Sequence, residues 1–129
     1  MDSAMSPTAA PMEATLAGMP AAGTAYADAR ARLLADGWAP LPDPDARLQV
    51  IGADHARLCA DVPTLAACRA CDGLPELSSA SCDGWRLMRF TRDQQVLHVT
   101  AFGTLGDFDV GGPDSGLVVH AWEVSASGD

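Results

Sequence analysis

The chain has 129 residues, a net charge of −9 and a pI near 4.4. It is therefore about one domain long, and it lacks the clustered Lys and Arg needed to neutralise nucleic-acid phosphates or to adsorb to anionic membranes. No apolar run approaches the roughly 18 residues needed to span a bilayer. An acidic surface instead steers a basic protein partner or a cationic ligand toward it.

Residues 1–23 are rich in Ala, Pro, Met and Ser and read as a disordered, low-complexity arm. Asp2, Pro7, Pro11 and Glu13 interrupt it, and it has no positive n-region, so as written it is no secretory signal. Residues 24–129 read as one domain. Thr24 is placed to cap a helix over Ala25–Ala35, with Gly37 just past its end in the position that favours a left-handed residue. Trp38 then returns to the core, and Pro40, Pro42 and Pro44 forbid further helix. Asp45–Ile51 fits either a short helix or an extended piece. Asp54 can cap a turn through Cys59, and a second helix is predicted from Pro63 to about Ala70, ended by Gly73.

The period then changes to two. Trp85–Thr91 and Val96–Gly103 read as strands joined by a hairpin loop, Arg92-Asp93-Gln94-Gln95, and Leu117–Val124 reads as a third. Helices first and strands afterwards predict an α+β fold, with two or three N-terminal helices packed on one face of a three-stranded antiparallel sheet.

Four cysteines, Cys59, Cys68, Cys71 and Cys82, have the spacing C-x8-C-x2-C-x10-C. A zinc module would ordinarily pair two C-x2-C knuckles or end in a His pair, and here there is one knuckle, with His55 outside any recognised spacing. A redox pair at Cys68 and Cys71 would want a helix N-terminus, whereas the predicted helix ends there. A thiol nucleophile at Cys82, served by His98 or His120, stands next to Asp83, whose charge disfavours the thiolate. Large core formers are few (three Phe, three Trp, one Tyr), so covalent reinforcement has a use in so small a domain. Two structural disulfides, and with them an oxidising compartment, are the favoured expectation. Three pairings are open; a link from the helical region to Cys82 would tie helix to sheet.

His98 and His120 read as strand residues that could share a sheet face. The loop Thr104–Gly116 carries Asp107, Asp109 and Asp114 among glycines. It resembles a calcium loop only in part, because Val118 stands where the bidentate Glu is needed. No cofactor motif and no bound metal is expected. The acidic loop and the histidine-bearing face are the candidate contact surface for a basic partner.

From Tyr26 onward the chain also resembles a group of small, uncharacterised secreted or periplasmic bacterial domains. The residues that carry this are Tyr26, Ala29-Arg30, Leu33-Leu34 and Gly37-Trp38 with Pro40. Further on they are Pro75-Glu76-Leu77, Cys82, Arg86 to Phe90, Leu97-His98-Val99-Thr100 with Gly103, and Val119 to Trp122. The resemblance implies an envelope or secreted location and a helix, bridged turn and sheet, and brings no catalytic residues. The resulting expectation is a non-enzymatic, disulfide-stabilised protein-binding domain, in one form an inhibitor or immunity protein for a basic enzyme. Its rivals are a zinc-binding module through the four cysteines and a thiol-dependent enzyme using Cys82 or the Cys68/Cys71 pair.

Overall fold

The computed structural model describes residues 19–126; residues 1–18 of the predicted arm lie outside them, while 19–23 are within, with Met19 packed against the core. Helix α1 (Tyr26–Ala35) leads to a two-residue strand β1 (Ala39–Pro40). Three short helices follow: α2 (Ala46–Val50), α3 (His55–Asp61) and α4 (Ala66–Gly73). Strands β2 (Leu77–Ala80), β3 (Trp85–Arg92), β4 (Gln95–Gly103) and β5 (Leu117–Ala126) complete the described residues, with one turn of 3-10 helix, Leu105–Asp107, between β4 and β5.

The architecture is α+β, but the expected three-stranded sheet preceded by helices is corrected in two respects. The sheet has five strands, all antiparallel, and the helices are interspersed with them. β3, β4 and β5 run side by side, while β1 and β2 share the outer edge of β3, opposite Phe90–Thr91 and Arg86–Met88 respectively. Both added strands escape a period-two reading for physical reasons. β1 is two residues long and ends in Pro40, which only an edge strand tolerates. β2 is Leu-Ser-Ser-Ala with a register shift between Leu77 and Ser79, so its burial does not alternate.

Local chemistry explains how α1 meets the sheet. Thr24 supplies no side-chain cap; Ala25 occupies the N-cap, and the Thr24 carbonyl accepts the Val119 N–H at 2.9 Å. The Gly23 N–H donates to the Val119 carbonyl at 2.8 Å, so residues 23–25 run along the first part of β5's free edge. At the other end the Trp38 N–H reaches the Leu33 carbonyl and the Gly37 N–H the Leu34 carbonyl, with Gly37 at φ +94°. That is a Schellman closure, and it brings Trp38 back over Leu33, both of them buried.

The core lies between one face of the sheet and helices α1 and α4. Tyr26, Ala29, Leu33 and Ala70 pack with Trp38, Leu74 and Leu77 against Met88, Phe90, Leu97, Val99, Ala101, Leu117 and Val119. A register shift at Thr100/Ala101 puts a bulge into β5. Val119 faces the core before it, Val124 faces the core after it, and Trp122 packs against the core from the same side.

Candidate functional site

The other face of β3, β4 and β5 is covered by no described element. Its residues follow from strand parity: with Met88, Phe90, Leu97, Val99 and Ala101 buried, their neighbours Trp85, Leu87, Arg89, Val96, His98, Thr100 and Phe102 point outward. β5 adds Val118 and His120 before the bulge and Ala121 and Glu123 after it.

Two zones divide this face. At one end the Trp85 ring lies 4.8 Å from Phe102 and 4.8 Å from His120, centroid to centroid, with interplanar angles of 62° and 74°. Both contacts are edge-to-face, the arrangement that ring quadrupoles favour. Trp85 and Phe102 are 39% and 43% exposed and adjoin each other across the β3–β4 pairing. With Ala22, Gly23, Val118 and Val119 they line a shallow pocket of ≈ 470 Å³. The second zone is a groove of ≈ 310 Å³ lined by Leu87, His98, Thr100, Ala121 and Glu123 among others. There His98 stands in register with Arg89 on one side and Glu123 on the other.

His98 and His120 therefore share a face, as their strand positions allowed, but they sit in different zones and do not pair. The acidic loop lies elsewhere. Asp107 accepts the Gly116 N–H at 2.7 Å and closes the loop on itself; Asp28 of α1 accepts the Gly112 N–H at 2.8 Å. Asp109 meets Arg69 of α4 at 3.5 Å, and the Phe108 ring lies under the same guanidinium and against Gly73. Only Asp114 of the three predicted carboxylates is exposed without a hydrogen bond or ion pair among the described residues. The loop is fastened to the helical side, away from the histidines.

The cysteines divide in two. Cys59 of α3 and buried Cys68 of α4 are joined in a disulfide, with 5.7 Å between their Cα atoms. Cys71 and Cys82 are free thiols, so the expected second bridge and the preferred link to Cys82 are both absent. Burial pushes the Cys71 thiol above its ordinary range, with Arg47 opposing and Asp72 reinforcing the shift. Cys82 is exposed beside a groove of ≈ 510 Å³ that Val50, Ala67, Ser81, Arg86 and Leu105 help to line, and no histidine reaches it. Among the described residues no three His, Cys, Asp or Glu side chains converge as metal ligands, and the disulfide removes two sulfurs from any such set.

One buried polar cluster escapes a reading of the sequence. Glu76, in the turn before β2, is fully buried, and its Oε2 accepts the Tyr26 hydroxyl at 2.8 Å and Arg30 Nε at 2.5 Å. Burial, then the Glu76 charge, holds the Tyr26 hydroxyl well above its ordinary range. No water-filled cleft opens onto the cluster among the described pockets, and it ties α1 to the sheet. Trp85 and Phe102 were also missed as site residues; the signal was parity, because each shares the outward face with Leu87 and His98.

No protein-family model, no curated protein and no solved structure matches the chain. Among the described residues no helix is long and apolar enough to cross a membrane.

Proposed function

We propose that the chain is a non-enzymatic, disulfide-stabilised binding domain that engages a basic protein through the open face of its sheet. The observation that carries this reading is the uncovered face itself, with Trp85 and Phe102 exposed side by side on it. Adjoining exposed aromatics of this kind mark interaction surfaces, and aromatic anchors dominate protein–protein binding energy. Charge supports the choice of partner. The arginines are largely spent internally: Arg30 on Glu76, Arg47 on Asp72, Arg57 on Asp54 and Asp61, Arg69 on Asp109 and Arg89 on Asp43. A chain of net charge −9 then presents surplus carboxylates such as Asp114 and Glu123.

The Cys59–Cys68 disulfide supports an oxidising compartment, a bacterial envelope or the secreted space. An inhibitor or immunity role toward a basic enzyme is one specific form of the proposal. The zinc and thiol-enzyme readings draw no support from the geometry, because the four sulfurs do not act as a set and no base stands beside Cys82.

Affinity capture from envelope extract at two salt concentrations tests the proposal. Thr100 sits at the centre of the face, in register with Leu87 and Ala121, so Thr100→Arg should repel a basic partner. The expected result is a basic protein retained by the wild-type chain, released by salt, lost with Thr100→Arg and kept with Asp109→Ala. Retention that survives Thr100→Arg, or no basic protein retained at all, would refute it.

A further inference from the structure

We infer that the rings of Trp85, Phe102 and His120 form a slot for an arginine or lysine side chain, the anchor by which the basic partner of the proposed function is held; the inference rests on that reading. The starting observation is how this chain treats two of its other aromatic rings, Trp38 and Phe108. The Arg92 guanidinium lies 4.4 Å from the centre of Trp38, and that of Arg69 lies 5.4 Å from the centre of Phe108. Both distances are within the range at which a ring's negative face attracts a cation. Trp85 and Phe102 are more exposed than Trp38 and Phe108, yet no described arginine stands over either ring.

The neighbouring arginine is held away. Arg86 follows Trp85 directly, but strand parity sends it to the opposite face, where its guanidinium donates to the Gly103 carbonyl at 2.9 Å and the Ser81 carbonyl at 3.1 Å. Desolvation lowers the Arg86 pKa, in keeping with a guanidinium committed to a partly buried position.

The slot has the form such a side chain needs. Trp85 meets both of its neighbours edge-to-face, so it stands steeply inclined to each and the rings are not stacked into a flat plate. The remaining side-chain lining on this face, Ala22 and Val118 beside Gly23, is small or aliphatic and suits the methylene stem of Arg or Lys. No carboxylate lines the slot; the −9 charge of the whole chain supplies the long-range attraction, and the rings supply the local one. The cation is thus selected by charge complementarity, while a carboxylate-bearing ligand is repelled by the same field.

The test separates the cation from the stem. Acetyl-triarginine amide and its tricitrulline counterpart, a neutral isostere, are titrated at constant ionic strength into the 15N-labelled full chain, following the indole N–H signals of the tryptophans. Triarginine should shift the Trp85 indole saturably and leave that of buried Trp38 in place, with tricitrulline about five- to tenfold weaker. Trp85→Leu keeps the charge at −9 and an apolar side chain in place, and should lower triarginine affinity by a similar factor; Phe102→Leu is the second variant should the first fail to fold. Equal shifts with tricitrulline would show an apolar slot without cation selectivity. Triarginine shifts confined to the region of Asp114, with the Trp85 indole unmoved, would show general attraction to the acidic surface; either result overturns the inference. Partner capture that is lost in Thr100→Arg but unchanged in Trp85→Leu would sink the slot and leave the binding proposal standing.

Discussion

The Tyr26 hydroxyl donates to Glu76 at 2.8 Å across 50 residues of sequence, and neither residue is exposed to solvent. This bond joins the first helix to the turn that enters the sheet, and Arg30 completes it from the same helix. Because Tyr26 is the only tyrosine in the chain, tyrosinate absorbance reports on this cluster alone. The native chain should show no tyrosinate at a pH where the urea-unfolded chain is half ionised, near pH 10. The raised native pKa contributes stability that is fully present below the unfolded value. It is lost as pH rises from there through the native value, by about 1.4 kcal/mol per pH unit. Coincident native and unfolded titrations would contradict the burial of this bond.

Glu76→Gln should cost about 2–3 kcal/mol, since it strips the counter-charge from Arg30, whose side chain keeps a quarter of its exposure and so recovers part of the loss from water. Urea unfolding measures it, and a change under about 0.5 kcal/mol would show that the pair adds nothing.

The thiol inventory is a second check. Denatured without reductant, the chain should release two thiols, and four after reduction, because only Cys59 and Cys68 are bonded. Closing this short loop is expected to stabilise the fold by about 2–3 kcal/mol, so Cys59→Ser should lower stability by that amount while Cys82→Ser leaves it nearly unchanged. Four thiols before reduction, in protein taken from its native compartment, would remove the disulfide from the account.

The β3–β4 hairpin offers a gain. Asp93 and Gln94 occupy the two loop positions with φ +49° and +67°, a left-handed pair that suits Asn-Gly far better than a long side chain. Gln94→Gly should raise stability by about 0.5–1 kcal/mol, read as a higher melting temperature. A lower one would mean that the Gln94 side chain contributes more than its strain costs.

Gly103 admits no such exchange. It lies at φ +125°, and a Cβ there would fall 1.9 Å from the Gly116 carbonyl oxygen, against backbone that cannot step aside cheaply. Gly103→Ala should cost at least about 3 kcal/mol, by urea midpoint or by failure to fold. A cost below about 1 kcal/mol would show that the junction of β4, the acidic loop and β5 is looser than described.

The sequence carried the long periodic elements well and the short ones poorly. Helix α1 was legible because Gly37-Trp38 announces its end, and β3 and β4 because Met88, Phe90, Leu97, Val99 and Ala101 alternate cleanly. β1 and β2 were invisible because two residues and four weakly patterned ones carry no period, and their pairing is dictated by the exposed edge of β3. Cys71 and Cys82 sit within the same cluster as the bonded pair, and spacing cannot say which sulfurs meet. Strand position leaves open whether His98 and His120 share a face; the pairing puts both outward, in different zones. The acidic loop was assigned to the same surface because sequence gives no direction to a loop, and its direction depends on Asp28, Arg69 and Gly73.

The bulge opposite Thr100 and Ala101 divides β5 into two half-strands whose inward and outward positions are out of step. Val119 and Glu123 have the same parity in sequence, yet Val119 is in the core and Glu123 is exposed. Length at residues 120–121 is consequently a quantity in its own right. Deleting one residue there would restore unbroken alternation along β5, and either the aromatic slot or the seating of Trp122 and Val124 would have to turn over. An indel at this point recasts both surfaces of the strand at once, whereas substitutions on the outward positions can diversify recognition while the interior stays as it is.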